Sequence, residues 1–301
     1  IDSGTLAITG LATLTTSASG ADIELDQTGS TFAAGISLNT TGSTGDAVVD
    51  NGTNALVIAA SFLGGNLNLT SGNASGITDS GIVTVGGDFS ATTDANNGDI
   101  DMGTLAVTGT ITLTTNDDAN NNTGHATVVN ATQVALTASS VDGNLAVTAT
   151  TGDMTDTGSL IVTSTSSFTT SATDADIILD STTNRFIGTV TVNTLGAGGD
   201  AEIHGGSTAL GIIASGGVGT LTLTTLNADI IDSGSLVVLG ATTINAGGAD
   251  ITLSNVSSNL QGAVGASGRN ISLTHNTGID LGDSTVTGTY EVTATTGNIT
   301  D

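Results

Sequence analysis

Short stretches of alternating apolar and polar residues run along the whole chain, separated by Gly, Asn, Asp and Ser. Examples are Thr13-Leu14-Thr15, Thr112-Leu113-Thr114 and Thr222-Leu223-Thr224. Alternation over four to six residues between turn-forming residues is typical of a short strand with one buried face. No stretch has the 3.6-residue period of an amphipathic helix, so the sequence predicts an all-β protein with essentially no helix.

Twelve of these stretches begin with an acidic or small polar residue followed by an apolar one. The apolar residues lie 20 to 30 residues apart, and they are Ile23, Ala47, Ile77, Ile100, Ala126, Met154, Ile177, Ala201, Ile230, Ile251, Ile279 and Ile299. About twelve coils of three short strands predict a parallel β-helix, a β-solenoid. A right-handed coil is expected because parallel crossovers strongly prefer that hand. In Asp22-Ile23-Glu24-Leu25-Asp26, the two aliphatic side chains should point inward and the three acids outward.

A longer repeat contains three of these coils. The motif Ile1-Asp2-Ser3-Gly4 returns around Asp79, Asp156 and Asp232 at intervals of 76 or 77 residues, and Thr300-Asp301 begins it again. A regular period of this kind indicates a solenoid in which each unit stacks on its neighbour. We therefore expect one continuous solenoid over residues 1–301, divided into the repeats 1–77, 78–154, 155–230 and 231–301.

Composition narrows the possible partners. The chain has 28 acidic residues, two Arg and no Lys, and its formal net charge is −26. Such a surface repels phosphate backbones and anionic lipid, so we expect no nucleic-acid partner and no membrane insertion. No apolar run is long enough to span a bilayer. The absence of Cys excludes disulfides and thiolate metal sites and is compatible with an extracellular bacterial protein.

One set of carboxylates is a candidate metal site. An Asp stands at the strand entry of five consecutive coils, and these residues, here called the Asp row, are Asp153, Asp176, Asp200, Asp229 and Asp250. Aligned at the spacing of stacked coils, they could bind Ca²⁺, which prefers carboxylate and carbonyl oxygens. The alternative is structural: each Asp accepts a backbone N–H of its own corner in an Asx turn.

The remaining chemistry does not favour an enzyme. His125, His204 and His275 are isolated in the sequence and form no ligand pair or triad. His125 stands at the position that Asp has in other coils, so it is expected to be a solvated surface residue and not a catalytic base. A β-helix enzyme acting on polysaccharide should contain an insertion that builds a cleft, and no such break is visible in the coil rhythm. Outward Thr-x-Thr pairs resemble ice-binding solenoids, but Ser37-Leu38-Asn39 and Asn68-Leu69-Thr70 interrupt the array, and Thr is common in strands in any case.

With the coil defined, the chain resembles the repeat regions of large bacterial surface exoproteins of the filamentous-haemagglutinin and autotransporter-adhesin kind. The shared features are Asp-Ser-Gly-x-Leu, Gly/Ala-Asp-Ile-x-Leu and Thr-rich strands without Cys or Lys. The resemblance implies a non-enzymatic extracellular structural protein, the shaft of a giant adhesin or part of a surface filament or sheath. The expected partner is the chain itself, by end-to-end stacking or within a longer array. A module that binds cell-surface glycan is the main alternative.

Overall fold

The fold is a right-handed parallel β-helix, as predicted from the alternation. The computed structural model describes residues 3–94, 97–116 and 123–301, in which every regular element is a β-strand. These residues form two compact units, Ile1–Thr150 and Thr151–Asp301, and each has its own strands and core. The prediction of one continuous solenoid over residues 1–301 stays a prediction.

Unit 1 is built from short strands that average only a few residues. They are β1 (Ala7–Ile8), β2 (Ala12–Ser19), β3 (Ile23–Leu25), β4 (Thr31–Phe32), β5 (Ile36–Thr41), β6 (Ala47–Asp50), β7 (Leu56–Ile58), β8 (Ser61–Leu63), β9 (Leu67–Ser71), β10 (Ile77–Asp79), β11 (Val83–Val85), β12 (Phe89–Thr93), β13 (Ile100–Val107), β14 (Thr110–Thr114), β15 (Ala126–Asn130), β16 (Val134–Leu136), β17 (Ser139–Val141) and β18 (Leu145–Ala149).

Unit 2 has the same construction. Its strands are β19 (Met154–Asp156), β20 (Leu160–Val162), β21 (Ser166–Thr173), β22 (Ile177–Leu179), β23 (Arg185–Phe186), β24 (Val190–Leu195), β25 (Ala201–His204), β26 (Leu210–Val218), β27 (Leu221–Thr224), β28 (Ile230–Val238), β29 (Thr242–Asn245), β30 (Ile251–Leu253), β31 (Asn259–Leu260), β32 (Val264–Gly268), β33 (Ile271–His275), β34 (Ile279–Asp280), β35 (Thr285–Val286), β36 (Tyr290–Ala294) and β37 (Ile299–Thr300).

Strands of successive coils pair in parallel and form columns of matched residues, here called ladders. In unit 1, ladder 1 matches Ile23, Ala47, Leu67, Phe89 and Ile111. Ladder 2 matches Leu56, Ile77, Ile100, Ala126 and Leu145. In unit 2, ladder 3 matches Met154, Ile177, Ala201, Leu221, Thr242 and Val264. Ladder 4 matches Leu210, Ile230, Ile251, Ile271 and Tyr290.

The interior of each unit is filled by the inward side chains of these ladders. Ile23 and Leu25 are buried while Asp22 and Asp26 are exposed, as the alternation predicts. In unit 2, Phe168 and Phe186 are fully buried and pack edge-to-face with ring centroids 5.9 Å apart. Because successive residues of a strand point to opposite sides, a short strand contributes only two or three side chains to this core.

The sequence predicts the type of coil correctly, but it does not predict which strands of successive coils pair with each other. The fold has about 13 turns, in agreement with the prediction of about twelve coils. The twelve apolar residues, however, do not mark one position of every coil: Ile23 and Ala47 lie in ladder 1, but Ile77 and Ile100 lie in ladder 2. All strand entries look alike in sequence, so spacing alone does not show which side of the coil a strand joins.

A threonine hydroxyl shapes one type of corner. It donates a hydrogen bond to the carbonyl oxygen five residues later, and the threonines that do so are Thr16, Thr40, Thr93, Thr170 and Thr194. The accepting residues are Ala21, Gly45, Gly98, Ala175 and Gly199. Each of these acceptors directly precedes an Asp at a strand entry. The pattern Thr-x4-Gly/Ala-Asp therefore fixes the corner and, with it, the position of the Asp side chain at the strand entry.

Candidate functional site: carboxylates between coils

The Asp row is divided between two ladders. Asp153, Asp176 and Asp200 precede strands of ladder 3, whereas Asp229 and Asp250 precede strands of ladder 4. The prediction of one continuous row is therefore wrong. The row was inferred from order along the chain, and the chain passes to another side of the coil between Asp200 and Asp229.

Within each part of the Asp row, the carboxylate binds the next coil. One oxygen of Asp153 accepts the backbone N–H of Asp176 at 3.0 Å, and Asp176 accepts that of Asp200 at 2.8 Å. Asp229 accepts the backbone N–H of Asp250 at 3.0 Å in the same way. These bonds link neighbouring coils, so they are not the Asx turns that were the structural alternative. True Asx turns occur elsewhere, for example where Asp50 accepts the N–H of Gly52.

Unit 1 contains a corresponding series that the sequence analysis did not single out. In ladder 1, an oxygen of Asp22 accepts the N–H of Asp46, and this continues one coil at a time through Asn66, Asp88 and Thr110. Asp88 also accepts the hydroxyl of Thr110 at 2.9 Å, and these two hydrogen bonds, the backbone one first, lower its pKa. The sequence signal was present, since Asp88-Phe89 repeats the Asp-apolar pattern.

Ladder 2 shows which residues can replace Asp at this corner. Asp99 accepts the N–H of His125 at 2.7 Å, and Nδ1 of His125 accepts the N–H of Asn144 at 2.9 Å. One coil earlier stands Gly76, with a φ of +66°. A Cβ there would lie 1.7 Å from the carbonyl oxygen of Asp99. Only glycine therefore fits that corner, which explains the gap in the polar series.

The described carboxylates at the strand entries are spread along the ladders and do not cluster. Within residues 3–94, 97–116 and 123–301, no three Asp, Glu or His side chains lie together as metal ligands would. Ca²⁺ binding needs six or more oxygen ligands, whereas Asp176 and Asp200 each direct an oxygen to a backbone N–H. Calcium at the Asp row stays a prediction.

The Asp residues that recur in the long repeat have a role that differs from that of the Asp row and that they share with one another. The carboxylate accepts two consecutive backbone N–H groups of the following coil, an arrangement here called the amide clamp. Asp79 holds Gly103 and Thr104, with the Thr104 N–H at 2.7 Å. Asp232 holds Ser254 and Asn255, at 3.0 and 2.7 Å. The 76- or 77-residue period thus marks the coils that carry a clamp; Asp2 lies outside the described residues.

Removing one clamp should lower stability measurably. Asp79→Ala leaves the N–H groups of Gly103 and Thr104 without their acceptor, whereas the Thr104 hydroxyl can still donate to the Gly81 carbonyl oxygen. We expect a loss of about 1 to 2 kcal/mol in the free energy of unfolding, because the site is only half-buried and water replaces part of the bonding. Urea denaturation followed by circular dichroism measures the change. Asp101→Ala, an exposed carboxylate on the adjacent β13, is the matched control, and an equal loss in both variants would contradict the clamp.

The third clamp, at Asp156, lies in a buried corner with other polar groups. One oxygen of Asp156 accepts the N–H groups of Asp180 and Ser181, and the other accepts Nδ2 of Asn184 at 2.6 Å. Asn184 is itself buried and accepts the N–H of Leu160 at 2.8 Å. Burial raises the pKa of Asp156 despite these donors, and the nearby charge of Asp180 acts in the same direction.

All three histidines serve as hydrogen-bond acceptors. His125, which was expected to be solvated on the surface, is half-buried, and His204 and His275 are buried. Nδ1 of His204 accepts the N–H of Gly206 at 3.0 Å, and Nε2 of His275 accepts that of Leu260 at 2.8 Å. His204 is 8% exposed and His275 1%. Each imidazole therefore takes part in the hydrogen bonding of the backbone.

One ion pair lies at the end of the Asp row. Arg269 binds Asp250 with two hydrogen bonds of 2.8 Å each. This bond to Arg269 is the main reason that the pKa of Asp250 falls to about 2. The pair is exposed to solvent, so it is expected to contribute little to stability.

The surface of each unit has shallow grooves, among them one of about 350 Å³ beside β2 and β3 in unit 1 and one of about 480 Å³ beside Tyr290 in unit 2. One of about 200 Å³ in unit 1 is lined by Ile82, Leu105, Val129 and Ala131, together with small residues. Ile82 is 63% exposed there. No helix in the described part of the chain could cross a membrane.

Comparison with known families finds one that matches at four places along the chain. The matches cover residues 44–103, 123–193, 198–267 and 268–301, well over half of the sequence. The family is described as repeats of unknown function, DUF5649. The chain belongs to this family.

The DUF5649 repeats have a structural starting point in this chain. Each match begins two residues before a polar residue that bonds the next coil, and these residues are Asp46, His125, Asp200 and Asn270. A repeat of the family thus begins at a corner whose side chain links coils. Comparisons with curated proteins and with solved structures find no match.

Proposed function

We propose that the chain is a non-enzymatic structural protein, an extracellular β-solenoid that forms the shaft of a large surface adhesin or part of a surface filament or sheath. The observation that carries the proposal is the use of polar side chains along the ladders. Asp176 and Asp200 in unit 2, like Asp46 and Asp88 in unit 1, each bond the neighbouring coil. Residues that catalyse or bind a ligand point instead toward a common cleft.

The physical properties of such a solenoid suit a shaft. Each coil buries its aliphatic side chains against the next, and repetition adds length without requiring a larger core. The backbone ladder and the side-chain bonds together resist local opening. A net charge of −26 keeps parallel shafts apart unless cations screen or bridge them.

We propose that the partner of the chain is the chain itself, by end-to-end stacking or within a longer array. Successive coils already pair through parallel strands in matched register, as Ile251, Ile271 and Tyr290 do in ladder 4. Parallel strand pairing of this kind can also join one copy to the next. The resemblance to filamentous-haemagglutinin-like and autotransporter-adhesin-like repeats is part of the same proposal.

A glycan-binding module is the second candidate, and the groove beside Ile82 is the place where a sugar ring could pack. Enzymatic action on polysaccharide and ice binding remain weaker alternatives. An enzyme needs an acid and a base in a common cleft, and the Asp and Thr side chains described above are committed to backbone groups instead.

The decisive experiment compares assembly with binding. Negative-stain microscopy of the purified chain should show rods that lengthen with concentration, and a glycan array together with a reducing-sugar assay on a polysaccharide panel should show no binding and no turnover. Binding that Ile82→Glu abolishes and the exposed-site control Ile187→Glu does not would favour the glycan module over the shaft. Adding a chelator tests calcium: rods and melting temperature that do not change would argue against a structural ion at the Asp row.

A further inference from the structure

The 205–208 turn in unit 2 depends on the protonation state of one buried imidazole. His204 ends β25, and its Nδ1 accepts the N–H of Gly206 at 3.0 Å. The side chain is 8% exposed, so water does not readily replace this bond. A proton on Nδ1 turns that nitrogen from acceptor into donor and leaves the Gly206 N–H without a partner.

This turn joins the coils on both sides of it. Gly206 has a φ of +61°, and a Cβ there would lie 2.1 Å from the carbonyl oxygen of Asn184 in the preceding coil. On the other side, the carbonyl oxygen of Gly206 accepts the N–H of Leu226 at 2.6 Å, and the N–H of Gly205 donates to Thr224 at 2.8 Å. A change in the conformation of this turn therefore affects the contacts with the preceding coil and with the following one.

The charges around the imidazole come from the segments packed against it. Asp156, at the end of β19, and Asp180, after β22, act on it from the preceding coils, and Glu202 acts from its own strand. β27, on the opposite side, contains only Leu and Thr. The only cation on these segments, Arg185, is exposed on β23. The carboxylates favour an imidazolium, but burial is the larger effect and lowers the pKa of His204.

We propose that His204 is an acid-sensitive switch for the 205–208 turn. In the neutral state the imidazole holds the turn by accepting the Gly206 N–H. When a proton from solvent binds Nδ1, this bond is lost, and the imidazolium is drawn toward the carboxylates of Asp156 and Asp180. The turn is then released from the strand that precedes it. The switch does not depend on the function proposed above.

The direction of the pH dependence follows from the lowered pKa. As pH falls, the unfolded chain binds a proton at about the ordinary value of 6.5, before the folded chain does. The stabilising contribution of His204 is therefore full above that pH and is lost as pH falls through the lowered pKa. Asp156, whose pKa is raised, has the opposite effect at more acidic pH, so a local measurement is preferable to global stability.

Amide hydrogen exchange of Gly206, measured by NMR on the whole chain, tests the switch. Between about pH 8 and about pH 5, across the titration range of His, and after correction for the intrinsic rate, the opening of this amide should rise roughly tenfold or more as its buried hydrogen bond is lost. The ¹⁵N shift of His204 Nδ1 should report an unprotonated nitrogen at the higher pH and titrate together with the exchange.

His204→Asn distinguishes protonation of His204 from a general destabilisation of the protein at acidic pH. The asparagine oxygen can accept the same N–H but does not titrate, so Gly206 should stay protected at both pH values. His125→Asn, in unit 1, is the matched control and should leave the Gly206 response as in the parent chain. A Gly206 amide that is insensitive to pH, or one with equal sensitivity in His204→Asn, overturns the proposal. If that variant does not fold, a protonated Nδ1 at neutral pH in the parent chain overturns it as well.

Discussion

Phe168→Ala is expected to lower the free energy of unfolding by about 3 to 5 kcal/mol, the usual cost of removing a fully buried aromatic side chain. Phe168 is 0% exposed and packs edge-to-face on Phe186, with ring planes at 71°. Truncation leaves a cavity that a close-packed interior refills only in part, and the aromatic contact with Phe186 is lost in addition to the buried area. Equilibrium urea denaturation followed by circular dichroism measures the loss.

Phe62→Ala is the matched control for this variant. Phe62 carries the same side chain on β8 but is 58% exposed on the outward face. Its removal should change the free energy of unfolding by no more than about 0.5 kcal/mol, as for most surface substitutions. Similar losses in the two variants would mean that the inward and outward faces have been assigned incorrectly.

Asn184→Ala should be the second most damaging substitution, with an expected loss of about 2 to 5 kcal/mol in the free energy of unfolding. The change leaves the N–H of Leu160 and one oxygen of Asp156 unpaired in a buried corner, and each unpaired buried group costs about 1 to 3 kcal/mol. Removing the amide donor should also raise the pKa of Asp156 further, because this hydrogen bond is the largest effect opposing burial.

Two measurements check the role of Asn184. Urea denaturation gives the loss of stability, and a ¹³C titration of the Asp156 carboxyl gives the direction of its pKa. Asn68→Ala removes an exposed asparagine from the outward face of β9 and should be nearly neutral. Equal stability of the two variants, or an Asp156 pKa that falls in Asn184→Ala, would contradict the hydrogen-bonded corner.

Some of the carboxylates that link neighbouring coils could be found from the sequence, because they recur at a regular spacing. The Asp of the 76- or 77-residue repeat was visible as a pattern, and Asp79 and Asp232 have the same role in the structure. The amide clamp that these residues form could not be predicted, because the N–H groups that they bind lie more than 20 residues further along the chain. Asn184 was not singled out from the sequence, and the burial of His204 was not predicted. Their burial depends on which coils stack on them, and neither belongs to a repeated motif.

The alternation of apolar and polar residues by itself determined the secondary structure, the inward position of residues such as Ile23 and Leu25, and the stacking of parallel coils, because side chains alternate across a strand whatever surrounds it. Only the tertiary structure decided which ladder each strand joins, and with it the division of the Asp row between Asp200 and Asp229. Corners of different length lead into strands with the same alternating pattern, so the register is set by packing between coils.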